Sequence, residues 1–358
     1  MRPAKIPATI ITGFLGAGKT TLVRHLLETA GGKRIALIVN EFGDMGFDGG
    51  MLSECDVPGC RAEEVIELTN GCICCTVADD FLPAMQALMK RDPAPEHIVI
   101  ETSGLALPQP LVRAFQWPDV RERVTVDGVV TVVDARAVAD GHVAMDENAV
   151  AAQRAADEAL DHESPIEELF EDQLRCADLI VLSKADLCSD TELARVQSRV
   201  AEDARADVAM LKSDMGKLPA AILLGLESGA EDDMESRRAH HDHHHDDDDD
   251  HDDDDHDHHD DHHHDDFDSF VVRAAPATSL GDAKQRVAAI VALPGVLRVK
   301  GHMWVAGKPA PAVVQAVGPR VEAWFAPSAD RRPGLVVIGL KGLPKAKIEA
   351  MLAEEPVG

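Results

Sequence analysis

The sequence predicts an α/β chain: a mainly parallel, doubly wound sheet followed by a smaller α+β domain. Three observations predict it. Short apolar runs rich in Val and Ile alternate with helical patterns through roughly the first 225 residues. One strand-to-helix junction in that stretch carries a glycine-rich loop ending in Lys-Thr. A tract made only of His and Asp, residues 240–266, then separates this region from a second strand-rich pattern.

The elements follow in order. Residues 8–12, 34–40, 97–101, 128–134 and 178–183 read as buried strands. They are short and lack polar alternation, as expected of strands covered on both faces. Helical patterns over 19–30, 77–90 and 166–176 lie between them, which gives the β-α-β rhythm of a doubly wound sheet. The first domain is therefore expected over residues 1–225. Residues 226–239 are polar and acidic and group with the His/Asp tract as an expected disordered linker over 226–266, the tract itself having no apolar side chain with which to offset its ordering entropy. As a flexible chain the 27-residue tract spans roughly 30 Å. From Phe267 the pattern reads strand (270–274), helix (280–293), strands (297–305, 312–317, 321–325 and 335–340) and closing helix (345–354), an α+β domain over 267–358.

The glycine-rich loop is Gly13-Phe-Leu-Gly16-Ala17-Gly18-Lys19-Thr20-Thr21, which fits G-x4-G-K-[ST] between an apolar strand and a helix. This is the phosphate loop of a P-loop NTPase. Inward-facing backbone N–H groups and the helix N-terminus bind phosphate, Lys19 reaches the β- and γ-phosphates, and the Thr20 hydroxyl is placed for Mg²⁺. His97-Ile-Val-Ile-Glu101-Thr-Ser-Gly104 is a strand ending in an acid and a glycine turn, which puts Glu101 beside the Mg²⁺ and Gly104 near the γ-phosphate. Ser183-Lys184-Ala-Asp186 closes a later strand. In N-K-x-D motifs the Asp accepts from guanine N1 and N2 and the Lys stem packs on the base, so the motif favours GTP over ATP. Ser183 stands where Asn is usual.

Asn70-Gly-Cys72-Ile-Cys74-Cys75 places three thiols in four residues. On a strand Cys72 and Cys74 face one way and can share an ion, with Cys75 joining if the chain turns. Thiolates suit Zn²⁺, Cu⁺ and tetrahedral Co²⁺. A redox pair is the rival reading, and Cys55 or Cys60 is available to complete a metal site. Cys176 and Cys188 read as plain core or surface thiols. The twelve His and fifteen Asp of the tract make many weak, flexible metal sites, with a solvated spacer as the alternative.

Composition narrows the partners. The net charge is −29, and the tract's fifteen Asp carry about half of it, so the remainder is also acidic. No basic stripe is present, which disfavours nucleic acid. No run of about 18 apolar residues is present, so no membrane span is expected. The first eleven residues lack the apolar core of a secretory signal, and a cytoplasmic location is expected.

The motifs G-F-L-G-A-G-K-T-T, N-E-F-G-D (residues 40–44), N-G-C-I-C-C, E-T-S-G and S-K-A-D occur in that order. In this the chain resembles the CobW family of P-loop GTPases, metal chaperones related to those that serve urease and hydrogenase. Segments 298–301 and 314–318 are similar to that family's C-terminal domain. The resemblance implies that residues 13–21 bind GTP, that Glu41 and Glu101 lie in the Mg²⁺ and switch region, and that Cys72 and Cys74 ligate the carried metal. It implies Co²⁺ as cargo for cobalamin biosynthesis, with a cobalt-insertion (cobaltochelatase) complex as client and Zn²⁺ as the rival metal. The attacking water is then placed by backbone and by Glu41 or Asp44. A P-loop kinase and a passive metal store are the alternatives outside this reading.

Overall fold

In the computed structural model, the described residues are 5–40, 65–68, 81–156, 165–206, 208–238, 267–317, 320–325 and 334–353. The chain divides into two compact units.

The first unit is built on a seven-stranded sheet in the order β3-β2-β4-β1-β5-β6-β7. Its strands are β1 (Ile6–Thr12), β2 (Ile35–Asn40), β3 (Val65–Leu68), β4 (His97–Glu101), β5 (Val124–Asp134), β6 (Leu179–Ser183) and β7 (Ala209–Ser213). The pairs β2–β3, β2–β4, β1–β4, β1–β5 and β5–β6 are all parallel. Every residue of β4 and β6 is buried, which is why these strands read as continuous apolar runs. Helices α1 (Lys19–Thr29), α2 (Leu82–Met89), α3 (Pro108–Ala114), α4 (Pro118–Arg121), α5 (Ala135–Ala139), α6 (Glu147–Ala156), α7 (Ile166–Cys176), α8 (Asp190–Asp203) and α9 (Ala220–Leu223) complete it. One core cluster joins Ala8, Ile10, Ile38, Ile98 and Ile100 of the sheet to Phe81, Met85 and Leu88 of the α2 segment and to Phe115. Each of the Ile, Leu, Met and Phe side chains contributes about 1.5–3 kcal/mol by leaving water. The strands β3 and β7 are additions to the sequence reading. The helix expected from residue 77 is described from α2 onward.

The linker expectation needs correction. Residues 226–238 fold back across the amino-terminal ends of the strands. Glu231 accepts from Thr125 Oγ1 (2.5 Å) and from Val126 N (2.9 Å). That backbone N–H adjoins an irregularity in the β1–β5 ladder, where the register passes from Ala8↔Val126 to Thr9↔Gly128 and skips Asp127. Asp127 in turn accepts from the backbone of Gly225 and Glu227. Leu226 covers Gly128, where a Cβ would lie 2.5 Å from its Cδ1. Arg237, fully buried, forks onto Asp178 at 2.5 and 3.2 Å. A polar segment is ordered here because its buried carboxylate Glu231 and the guanidinium of Arg237 are bonded to the strands it crosses.

The second unit is a five-stranded antiparallel sheet in the order β11-β10-β9-β12-β8. Its strands are β8 (Phe267–Val272), β9 (Val296–Met303), β10 (Ala312–Val317), β11 (Arg320–Trp324) and β12 (Gly334–Leu340). Helix α10 (Leu280–Val291) packs Ala283, Val287 and Ile290 on it, and α11 (Lys345–Ala353) adds Ile348 and Leu352. Along β12 buried and more exposed positions alternate, the signature of a sheet with one face on a core.

Candidate functional site

The site forms where β1, β4, β5, β6 and β7 end. The chain leaves β1 at Gly13, whose φ of 136° and position against Val132 admit only glycine: a Cβ would lie 2.2 Å from the Val132 carbonyl oxygen. The loop then turns through Gly16 and Gly18 into α1. Lys19 Nζ folds back over the loop and donates to the Gly13 carbonyl (2.8 Å) and the Phe14 carbonyl (3.1 Å). An ammonium held by its own loop sits where the phosphates of a nucleotide can exchange for those carbonyls.

At the end of β4, Glu101 is buried and its Oε1 accepts from Thr20 Oγ1 at 2.8 Å. A hydroxyl and a carboxylate oxygen side by side are the hard donors Mg²⁺ takes, so this pair fits the ion. Thr102 Oγ1 donates to Thr12 Oγ1 (3.0 Å), and Thr102 N donates to the Ile11 carbonyl (3.0 Å). These bonds hold the start of the 102–106 turn to the end of β1. Gly104 then lies on the phosphate loop, where a Cβ would stand 2.6 Å from Leu15 N.

Beyond β6, Ser183 Oγ donates to the Ala17 carbonyl (2.6 Å) and lies 3.1 Å from the Val133 carbonyl. The serine thus makes a direct bond from the loop after β6 to the phosphate loop. Lys184 takes a left-handed conformation (φ 54°) and its Nζ reaches Asp134 Oδ2 at 2.5 Å. Asp134 also caps α5 by accepting from Ala137 N. Asp186 is exposed. Arg136 braces this loop by donating to the Leu187 carbonyl and to Glu192. The backbone N–H and hydroxyl of Ser189, then Arg136, pull the Glu192 carboxyl down to about 2, and Ser189 and Glu192 form the capping box of α8.

Sequence reasoning passed over the turn after β7. Met215 there is 71% exposed with φ 50°, and Gly216 rests on the first turn of α1, a Cβ at that position lying 3.0 Å from Leu22 N. The available signal was the S-D-M-G run that closes an apolar segment.

The structure therefore brings together Gly13, Gly16, Ala17, Gly18, Lys19, Thr20, Thr21, Glu101 and Gly104, with Ser183, Lys184 and Asp186 in the adjoining loop. Glu41, Asp44, Cys55, Cys60, Cys72, Cys74, Cys75 and the His/Asp tract lie outside the described residues. Among the described residues no group of three or more His, Cys, Asp or Glu is placed to hold a metal, and no helix is long and apolar enough to cross a membrane. Cys176 is buried, which pushes its thiol up to about 12, and Cys188 is half-buried.

Two family models match. Residues 7–212 match the CobW/HypB/UreG nucleotide-binding domain, and residues 267–355 match the cobalamin synthesis protein cobW C-terminal domain. The chain is 51% identical over 352 residues to a Sinorhizobium protein named zinc chaperone CobW, covering 97% of this chain and 96% of that one. It is 48% identical over 345 residues to a Pseudomonas aeruginosa protein of the same name, covering 94% and 88%. It is 29% identical over 360 residues to the Escherichia coli protein named zinc chaperone YjiA, covering 97% and 98%. With both domain models matched in order and two relatives near half identity over almost their whole length, the chain belongs to the CobW family of P-loop GTPases.

Proposed function

We propose that this protein hydrolyses GTP to drive the binding and hand-over of a transition-metal ion. The observation that supports it most is the meeting of three loops at one sheet edge: Lys19 on the phosphate loop, the Thr20–Glu101 pair, and the Ser183–Lys184–Asp186 loop tied to Ala17. In this reading residues 13–21 bind the triphosphate, with Thr21 following the Mg²⁺ ligand Thr20. Thr20 and Glu101 hold Mg²⁺, which when bound neutralises charge on the β- and γ-phosphate oxygens. Gly104 offers its N–H toward the γ-phosphate. Lys184 packs along the guanine, and Asp186, exposed at the loop tip, accepts from its N1 and N2. Glu41 or Asp44 places the water. Cys72 and Cys74, with Cys75, carry the cargo. The cytoplasm is the compartment this reading calls for.

The names of the relatives support Zn²⁺ as cargo, and two or three thiolates suit it. Co²⁺ delivered to a cobalt-insertion complex is the second reading, supported by the cobalamin-synthesis name of the C-terminal model. Ordering of switch segments by the γ-phosphate and Mg²⁺ is a common route to shape change in such proteins. If that ordering gathers Cys72 and Cys74, GTP tightens metal and metal tightens GTP by one factor, up to about 150-fold. The test is a competition titration of Zn²⁺ and of Co²⁺ on wild type and on Cys72→Ser/Cys74→Ser, with a GTP analogue, with GDP and without nucleotide. The expected result is tightest binding with the analogue and its loss in the double variant. Equal affinity in all three nucleotide states would overturn the coupled mechanism.

A further inference from the structure

We propose that Gln173 of α7 is a positioning residue for GTP hydrolysis, acting through Gly104. The inference rests on the reading of Gly104 as the γ-phosphate-side glycine. Gln173 is wholly buried. A buried amide is costly unless its hydrogens find acceptors. Here Nε2 donates to two carbonyls of the turn after β4, Gly104 O at 3.2 Å and Ala106 O at 3.1 Å. The tie is returned from the other side, where Gln109 Nε2 donates to the Asp172 carbonyl at 2.7 Å. The carbonyl of Gln173 itself accepts from Thr131 Oγ1 on β5 at 3.0 Å, which fixes the helix to the sheet.

The same helix also touches the phosphate loop. Phe170, one turn before Gln173, meets Phe14 edge to face with ring centroids 5.9 Å apart. Gly104 is thus enclosed on two sides, by the Leu15 backbone of the phosphate loop and by the amide of Gln173. Helix α7 sets the distance between the phosphate loop and the 104–106 turn. GDP needs only the first of these, whereas GTP and its transition state need both. Displacement of a positioned group by about 1 Å costs up to about a hundredfold in rate. Removing the two donors should therefore slow the chemical step and weaken GTP-analogue binding while leaving GDP binding alone. A residue that merely fills space would lower both affinities together or neither.

The experiment uses the full chain. Gln173→Met keeps the length and removes both donors, and Gln173→Asn keeps the donors on a shorter arm, less disruptive if Met fails to fold. Single-turnover GTP hydrolysis and the dissociation constants for GDP and a GTP analogue are measured, with Gly104→Ala alongside. For Gln173→Met we expect hydrolysis about tenfold to a hundredfold slower, a several-fold loss of analogue affinity, and GDP affinity unchanged. Asn should fall between Met and wild type. Unchanged hydrolysis in Gln173→Met, or equal loss for GDP and analogue, would overturn the role of Gln173. Gly104→Ala separates the two claims: if it too hydrolyses normally, the reading of Gly104 fails, and if it alone is inactive, only the inference about Gln173 fails.

Discussion

At the carboxyl edge of the parallel sheet, Lys19 is held by two carbonyls of its own loop and Thr20 by Glu101. At the amino edge, Asp127 and Glu231 are buried and the Asp178 side chain is only 6% exposed, and all three carboxylates are bonded between the strands and residues 225–238, the strap that crosses them. The two edges use the same chemistry for opposite ends. Contacts within one loop can be exchanged for a ligand's oxygens without opening the core. Contacts that neutralise a charge in the interior of the amino edge, such as Arg237 to Asp178, cannot be broken without leaving that charge unpaired. The carboxyl edge should therefore carry activity at little cost to stability, and the amino edge the reverse.

The largest effect expected is at the carboxyl edge. Lys19→Ala removes the cation proposed to meet the γ-phosphate and should lower GTP hydrolysis by about a thousandfold. Thermal unfolding should shift by only a few degrees, because the two lost bonds, though buried, join residues five and six apart within one loop and tie no distant segment to the core. Single-turnover hydrolysis beside a melting curve checks both halves. A normal rate would sink the phosphate-loop assignment, and a collapsed fold would break the distinction between the edges.

The next test reverses the outcome. Asp178 takes the fork of Arg237, one bond from Arg205 (3.1 Å) and the Val129 N–H (2.9 Å). Burial, the largest single influence, raises this carboxyl, but the charge and hydrogen bond of Arg237, the Val129 N–H and Arg205 together outweigh it and hold the group below its ordinary range. Arg237→Ala leaves Asp178 buried with less charge opposite it and should cost about 3–5 kcal/mol. It should also free the strap ahead of the His/Asp tract. Urea unfolding gives the loss of stability, and turnover per folded molecule should equal wild type. A lower turnover per folded molecule would show the two edges to be coupled.

The sequence discloses the two edges unequally for the same reason. The phosphate loop is legible because its chemistry needs glycines, a lysine and a threonine at fixed spacing. Strands 97–101 and 179–183 are legible because burial on both faces excludes polar side chains. β7 is missed because it is an edge strand with an exposed Lys212 in its middle. The strap is missed because Glu231, Arg237 and their neighbours look like solvated charge, and their partners Thr125, Asp127 and Asp178 lie far away in the chain. Gln173 reads as one more polar residue on an amphipathic helix, since nothing local marks Gly104 as its acceptor. Motifs mark the phosphate loop, Glu101 and the Ser183–Asp186 loop even though they meet from distant parts of the chain, whereas pairings that belong to no motif become visible only in the fold.

The smallest effect belongs to His97, and it depends on pH. Its ring is buried at the start of β4, with Nε2 2.8 Å from Thr9 Oγ1 on β1 and 3.8 Å from Asp127 Oδ2 on β5. Burial lowers the imidazole from 6.5 to about 4. Asp127 pulls the other way and Lys33 adds slightly to the lowering. Asp127 does not reverse the shift because its carboxylate is already engaged by Gly225 N, Glu227 N and Thr9 Oγ1. A folded-state value below the unfolded one means the unfolded chain binds the proton more tightly. The stability due to the neutral ring is whole above about pH 6.5, is lost as pH falls from there to about 4, and amounts to roughly 3 kcal/mol across that window. His97→Gln keeps a partner for Thr9 but cannot titrate. Its unfolding free energy in urea should match wild type within about 1 kcal/mol at pH 7.5 and should fall less steeply than wild type between pH 6.5 and 4.5. GTP hydrolysis at pH 7.5 should be unchanged, because the ring sits at the edge opposite the phosphate loop. Parallel stability curves for the two proteins would show that the buried ring is not the acid-sensitive group, and a change in hydrolysis would join the two edges that the other tests keep apart.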